Sequence, residues 1–456
     1  MLEIVLAAVS ALARAEEHVP GRIDTSGGDD TSSGLWFYVA VVGLIWYGAV
    51  LAHVLTGVWL VSNRARRPSL RSCDGTEGVT ILRPLKGIDT EMDMCLRSAL
   101  EQDYPHFEVI FCVEDESDPA VAVAQSLIPK YPNVDAKVMV GAANYGPNPK
   151  INNLAKGYSA AKYDLIWVLD SNVWVTPEAL TRAVDTFRCN PKAHIVHHVP
   201  MCISLSPKWE GNMGSRLDEM FMLTAHAKFY TALNQFQMAP CVMGKSNLYR
   251  KSALDRAVSA PPGEGIRKFA LYIAEDNMIA QALWDNGGRT AIAPDCAIQP
   301  LEKVPLSGYW DRRVRWLRVR RYMVLAATML EPTTESLVCG SIGTFSITTL
   351  LAGHSWSWRL FLTHMLVWVV LDYWQFHSLI SFGTVNQKYA PMFSRRFFSP
   401  EGPPGPRPIL RSWLWVWMLR EVLALPIWIA AMCGHTIWWR GRPFIIKKDL
   451  TAEAIR

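Results

Sequence analysis

The sequence has no CxxC pair and no Cys/His spacing suited to zinc, and its nine cysteines are scattered. That excludes a zinc module and favours reduced thiols in a cytosol-facing domain. Charge of one sign is also scarce, with a formal net charge of +5 over 456 residues. A nucleic-acid binder carries a stronger, clustered basic excess together with a reading motif, and no such motif occurs, so nucleic acid is excluded as a partner. Met1 to Ala13 is apolar and ends in small residues, yet it lacks a basic n-region because Glu3 is acidic. A cleaved signal peptide is not expected.

What is abundant is apolar. Half of the residues are hydrophobic and nineteen are tryptophan, too apolar for a typical soluble enzyme and indicative of membrane segments beside a globular part. Leu35 to Val61 contains no Asp, Glu, Lys or Arg and is long enough to cross a bilayer. Trp36, Phe37 and Tyr38 before it and Arg64, Arg66 and Arg67 after it fit an aromatic belt and the positive-inside rule, which places the chain after residue 63 in the cytosol. Farther on, 337–353 and 360–380 read as a hairpin of two spans, the second holding Asp372, which needs a partner inside the bundle. A third stretch, 414–438, is interrupted by Arg420, Glu421 and Pro426. Four full spans would put the basic "WWRGRPFIIKK" in the lumen, so one segment is re-entrant or interfacial on this reading; which one stays open. The expected division is a lumenal segment and linker (1–34), an anchor (35–62), a cytosolic catalytic domain (63–330), transmembrane or interfacial helices (331–440) and a tail (441–456).

Between the anchor and these spans, short β-branched runs alternate with helical patterns. "GVTILRP", "FEVIFCVED", "DAKVMVG", "DLIWVLDSN" and "AHIVHHVP" read as buried parallel strands. "TEMDMCLRSALEQ", "DPAVAVAQSLIPKY", "NPKINNLAKGYSAA" and "TPEALTRAVDTF" read as helices. The alternation predicts a doubly wound, mostly parallel α/β sheet, which binds nucleotides at the carboxyl ends of its strands.

Acidic residues close strands of this kind or begin the elements after them: Asp115 and Asp118 in "CVEDESDP", Asp170 in "WVLDSN", and Glu275 with Asp276 in "IAEDN". Any one of them is more often a helix cap or a solvated loop acid, and Asp118 before Pro119 is a good N-cap candidate. Asp170 ends an apolar strand and so points into the crevice. Lys150 in "NPKINN" and the run "DRRVRWLRVRRYMV", with six arginines in the eleven residues from Asp311 to Arg321, add cations. Carboxylates with Arg and Lys at strand ends suit a metal–diphosphate site.

Eight blocks in order, "LRPLKG", "DYPHFEVIFCVED", "YPNVDAKVMVG", "NPKINNL", "AKYDLIWVLDSN", "IVHHVP", "YIAEDN" and "RRVRW", make this chain resemble the ceramide glucosyltransferase family, a group of inverting nucleotide-sugar glycosyltransferases with the GT-A fold. The resemblance covers roughly Gly78 to Trp316. It implies UDP-glucose as donor, ceramide as acceptor, a divalent metal (Mg or Mn), and a multi-pass Golgi or ER membrane protein with its catalytic domain facing the cytosol; self-association is left open. Carried over, Asp118 and its neighbour Asp115 lie near the uracil and ribose, Asp170 is the metal ligand on the diphosphate, and Asp276 is the general base. Lys150 belongs to the donor site, Arg312, Arg315 and Trp316 match (Q/R)xxRW, and His197 falls where the family has a histidine. One departure is "DSN" in place of DxD: Asn172 is a weaker metal ligand than a carboxylate.

If the arginine run is helical, Arg312, Arg315, Trp316 and Val319 share one face toward the site, while Arg313, Arg320 and Arg321 are left for anionic headgroups. The alternatives are another lipid acceptor (a sterol or hopanoid), a processive polysaccharide synthase, for which about four membrane segments look too few, and a non-catalytic membrane adaptor, which has no chemical reason to keep these acids and arginines.

Overall fold

The computed structural model describes residues 30–64, 77–141, 143–206, 211–353, 356–380, 393, 410–439 and 442–455. The expected lumenal segment up to residue 29, Arg66 and Arg67, and the Pro-rich 394–409 stretch lie outside the described residues.

The chain forms two compact units, Met1–His53 with Leu330–Leu371, and Val54–Met329 with Asp372–Arg456. The first holds most of helix α1 (Asp30–Arg64), all of α12 (Ser336–Leu351) and the first half of α13 (Trp358–Ile380). Within it Tyr47 and His364 are hydrogen-bonded at 3.0 Å, and Trp46 donates to Thr333 at 2.9 Å. Among the described residues, two helices are long and apolar enough to cross a membrane, Gly34–Asn63 and Leu410–Cys433.

The second unit is built on a seven-stranded sheet, in the order β3-β2-β1-β4-β6-β5-β7. Its strands are β1 (Val79–Leu85), β2 (Phe107–Val113), β3 (Asp135–Val140), β4 (Leu165–Leu169), β5 (Ala193–Ser204), β6 (Ser246–Arg250) and β7 (Arg289–Leu301). β6 pairs antiparallel with both β4 and β5, and every other pairing is parallel. This is the GT-A-like, mostly parallel sheet expected from the alternating pattern. Alternate residues of the strands feed two cores. Val79 and Ile81 pack with α2 (Met92–Leu100), α3 (Pro119–Leu127) and α5 (Ala179–Cys189) on one face. Leu82 and Ile110 pack with α4 (Pro149–Ala160), α8 (Lys251–Ala257) and α9 (Glu275–Asp285) on the other.

Two expectations need correction. β3 is not a buried strand: it forms the sheet edge, and none of its residues is buried. The 414–438 stretch is not one segment either, because helix α14 (Leu410–Cys433) ends before a three-stranded antiparallel sheet of β8 (Thr436–Trp439), β9 (Arg442–Ile446) and β10 (Ala452–Ala454). Asp372 does find partners, but the charged one comes from the segment expected to be the cytosolic domain and not from a neighbouring span. Lys228, on α7 (Ala227–Phe236), meets it at 2.5 Å and Trp417 donates to it at 2.9 Å. Three residues on, Gln375 donates to the carbonyls of Leu223 and Thr224 at 2.8 and 2.7 Å. Those carbonyls lie in a π-helical turn, Met222–His226, between α6 (Met213–Phe221) and α7, where the backbone departs from regular α-helical bonding.

Candidate active site

β4 is buried along its whole length, and its apolar run delivers Asp170 to the carboxyl end of the sheet. The antiparallel register sets Leu169 opposite Ser246, so the residue before Ser246 faces Asp170 across the strand ends. That residue is Lys245. Its ammonium lies 3.3 Å from Asp170 Oδ2 and 3.2 Å from Asn172 Oδ1. From the opposite side Lys150, in the first turn of α4, reaches Asp170 Oδ1 at 2.8 Å, Glu275 Oε1 at 3.0 Å and the Gly244 carbonyl at 3.1 Å. Burial alone would raise the Asp170 pKa, but the two lysines hold it down at about 2. The same carboxylates outweigh burial at Lys150 and keep its ammonium charged well above the ordinary lysine range.

The loop carrying Asp170 is fixed from beneath. Arg83, fully buried in β1, donates to the carbonyls of Ser171, Val173 and Cys95 at 3.0, 3.2 and 3.0 Å. Burial lowers its pKa to about 10, so it stays charged at neutral pH. Ser171 in turn donates to Asp89 at 2.5 Å.

Glu275 and Asp276 open α9, and their environments differ. Both Glu275 oxygens are taken, one by Lys150 and the other by the Asn148 amide at 3.0 Å. Asp276 accepts through Oδ1 from the Asn277 amide groups at 2.8 and 3.2 Å, and its Oδ2 carries no hydrogen bond among the described residues. Burial, then the neighbouring Glu275 charge, raises the Asp276 pKa to about 6. Gly244 allows the close approach: a Cβ there would stand 3.2 Å from both Asp276 Oδ2 and Lys150 Nζ.

Helix α10 (Leu306–Met323) carries the arginine run. Arg312 pairs with buried Asp218 at 2.6 Å. Burial raises Asp218 to about 6 against the pull of Arg312, Arg313, Lys245 and Arg315, which links α10 electrostatically to the Lys245–Asp170 corner. Trp316 leans on Phe221, with ring centroids 6.5 Å apart.

The expected split of the run into site-facing and lipid-facing residues is corrected in part. Val319 packs with Ile437 and Ile446 of the C-terminal sheet. Arg313 is buried with its guanidinium 3.4 Å from the centre of the Phe221 ring, a cation–π contact. Arg321 donates to the Met432 carbonyl at 2.6 Å. Arg320 alone of the three assigned to headgroups is exposed.

The remaining sequence candidates lie apart from the lysine-clamped carboxylates. Asp118 caps α3 through the Ala120 amide at 2.9 Å and accepts the Gly87 amide on both oxygens at 2.9 Å. Exposed Asp115 accepts from the Ser117 amide and hydroxyl, both at 2.9 Å, and these bonds lower its pKa. His197 is fully buried, with its Nδ1 2.5 Å from the Tyr230 hydroxyl and its Nε2 3.2 Å from Asn234 Oδ1. Asn234 spends its amide hydrogens on the Tyr230 and Cys241 carbonyls. Its Oδ1 must therefore accept, so Nε2 donates to it and His197 ties β5 to α7. His198 sits 2.7 Å from the Ser246 hydroxyl, and burial lowers its pKa to about 4.

A divalent ion has only a partial donor set here. Asp170 already carries two ammonium groups and the Asn172 oxygen is taken. Among the described residues, no group of three or more His, Cys, Asp or Glu side chains could hold a metal. Sequence reasoning missed Lys245 and Arg83; the one signal for Lys245 was a basic residue opening "KSNLYR", a strand too short and polar to stand out.

The family model for glycosyl transferase family 21 matches residues 35–452. A ceramide glucosyltransferase of Komagataella phaffii is 47% identical, covering 96% of each chain. One from Candida albicans is 39% identical, covering 90% of this chain and 96% of the relative. Among solved structures, a mannosyltransferase from Pyrobaculum calidifontis in complex with GDP-Man and Mn2+ aligns with a TM-score of 0.44 at 17% identity, covering 77% of this chain and 98% of its own. By the extent of the family match and by these relatives, the chain belongs to glycosyltransferase family 21.

Proposed function

We propose that the protein transfers glucose from UDP-glucose to the primary hydroxyl of ceramide, inverting the anomeric centre to give the β-glucoside. The observation that carries this reading is Asp276, a carboxylate with one unengaged oxygen and a raised pKa, set beside a lysine-clamped aspartate at the strand ends. In the reaction the acceptor hydroxyl oxygen forms the new bond to C1 of glucose as the bond from C1 to the UDP oxygen breaks. Asp276 Oδ2 takes the hydroxyl proton. The pKa near 6 suits a base that must be free at neutral pH and still basic enough to act. The sugar passes through an oxocarbenium-like state, and the negative charge left on UDP is met by Lys245 and by Arg312 and Arg315 of α10. Lys150 serves differently: its donors are spent on Asp170, Glu275 and Gly244, so it holds the acids in position. Where a divalent metal takes part, Asp170 is the carboxylate to hold it, and the ion would supply further charge neutralisation at the diphosphate.

The ceramide glucosyltransferase relatives support this choice of acceptor over a sterol or hopanoid. We place the enzyme in a Golgi or ER membrane with this unit facing the cytosol. Asp115 and Asp118, at the end of β2, are proposed on the uridine side of the donor site. The test is incubation of membranes holding the protein with labelled UDP-glucose and, separately, ceramide and a sterol. β-Glucosylceramide is the expected product; a labelled sterol glucoside or a long polymer would overturn the reading.

A further inference from the structure

Helix α14 meets the length and composition test for a membrane span, yet its surroundings are those of a helix lying against a folded domain. Near its start Trp413 packs on Tyr373 and Phe376, with centroids 5.1 and 5.9 Å away. One turn later Trp417 donates to Asp372, which is held by Lys228 of α7. In the middle Arg420 and Glu421 pair with each other and are buried. Toward the end Trp428 donates to the Thr328 carbonyl at 2.8 Å.

The last turn is capped from α10. Arg318 donates to the carbonyls of Ala430 and Ala431 at 2.7 and 3.2 Å and to that of Thr436, and Arg321 donates to Met432. These are the carbonyls a helix end leaves unsatisfied, and the charges suit a helix C-terminus. Gly434 makes room, since a Cβ there would lie 2.1 Å from Arg318 Nη2. Both ends and the middle of a 24-residue helix, about 36 Å long, thus rest on the unit that holds the active site.

Its outer face is different. Trp415, Met418, Val422, Leu425 and Ile429 recur at three- and four-residue intervals and are 42–58% exposed. An unbroken apolar stripe of this length on a protein surface marks an interaction site. Its neighbours favour lipid as the partner. The end of α1, the other helix of that length and composition among the described residues, belongs to the same unit, with Gly57 against the Lys228 backbone and Ser62 bonded to Ser378. Beyond α14, β8 and β9 turn Ile437 and Ile446 onto Val319 of α10, while Trp438 and Ile445 are exposed and Lys447 and Lys448 come next in the chain.

We propose that α14 does not cross the bilayer but lies in its surface, stripe toward the lipid, so that the β8–β10 sheet sits on the same side of the membrane as the active site. The placement settles the conflict with the positive-inside rule, because the basic tail then stays on the catalytic side. It does not depend on the identity of donor or acceptor.

The test uses the full chain with Cys73, Cys189, Cys241 and Cys433 replaced by serine and one cysteine introduced at a time, Trp415→Cys, Val422→Cys or Ile429→Cys. Each active variant is labelled with an environment-sensitive dye in phosphatidylcholine vesicles, and quenching by shallow and deep nitroxide lipids is compared. Equal, shallow depth at all three positions is expected. A steady change in depth of about 21 Å from 415 to 429 would show a crossing helix, and no quenching at any position would show a protein partner on the stripe; either overturns the proposal. In sealed microsomes, protease should remove a C-terminal tag together with the catalytic unit, and a protected tag would also overturn it.

Discussion

Asp276 and Glu275 are adjacent carboxylates whose surroundings drive them apart. Glu275 is tied to a lysine and an amide, while Asp276 is pushed up by burial and by the Glu275 charge. A base must be unprotonated to act, so the rate should fall as the pH drops through about 6. Glu275→Gln removes the like charge and should move this acidic limb to lower pH, as read from kcat against pH; an unmoved limb would mean that Glu275 does not set it. In the proposed reaction Lys245 contributes a cation where the diphosphate charge develops. Lys245→Met should raise KM for the donor roughly ten- to a hundredfold, the worth of one charged hydrogen bond, with the melting temperature little changed. Asp170 was legible as an acid closing an apolar strand, and Asp276 as one that begins an element. Lys245 was not, because its place depends on the antiparallel register of β6, which sets it against Asp170 across 75 residues of chain.

Strands with continuous apolar runs, β1, β2, β4 and β5, could be read directly because both of their faces are covered. β6 is five residues long with Ser, Asn and Arg in it, and β7 buries Asp295 and Gln299, so neither carries a hydrophobic pattern. The C-terminal strands were hidden because Thr436–Trp439 continues the apolar composition of α14. At this scale the most exacting contact is Lys228–Asp372, with both side chains almost wholly buried. Lys228→Met leaves an unpaired carboxylate and should cost on the order of 3 kcal/mol or more, while Lys228→Met with Asp372→Leu should recover most of it. Thermal unfolding of the detergent-solubilised protein reads both.

For the molecule as a whole, the sequence boundaries track hydropathy, whereas the compact units track packing. Residues 372–456 cluster with the seven-stranded sheet rather than with 330–371. Hydropathy could not show this, since a helix packed on a domain with one face in lipid has the same composition as one that spans. A chain ending at residue 409 would lose the carbonyl partners of Arg318 and Arg321 and uncover Val319. Limited proteolysis of such a chain should show α10 cleaved far faster than in the full protein. The central claim remains that this unit performs an inverting transfer with Asp276 as base. Its most direct test is turnover of labelled UDP-glucose onto ceramide by Asp276→Asn beside the unaltered protein. A loss of about 10²- to 10⁴-fold in kcat, with donor binding retained, is the predicted result; turnover within about threefold of the unaltered protein would contradict it.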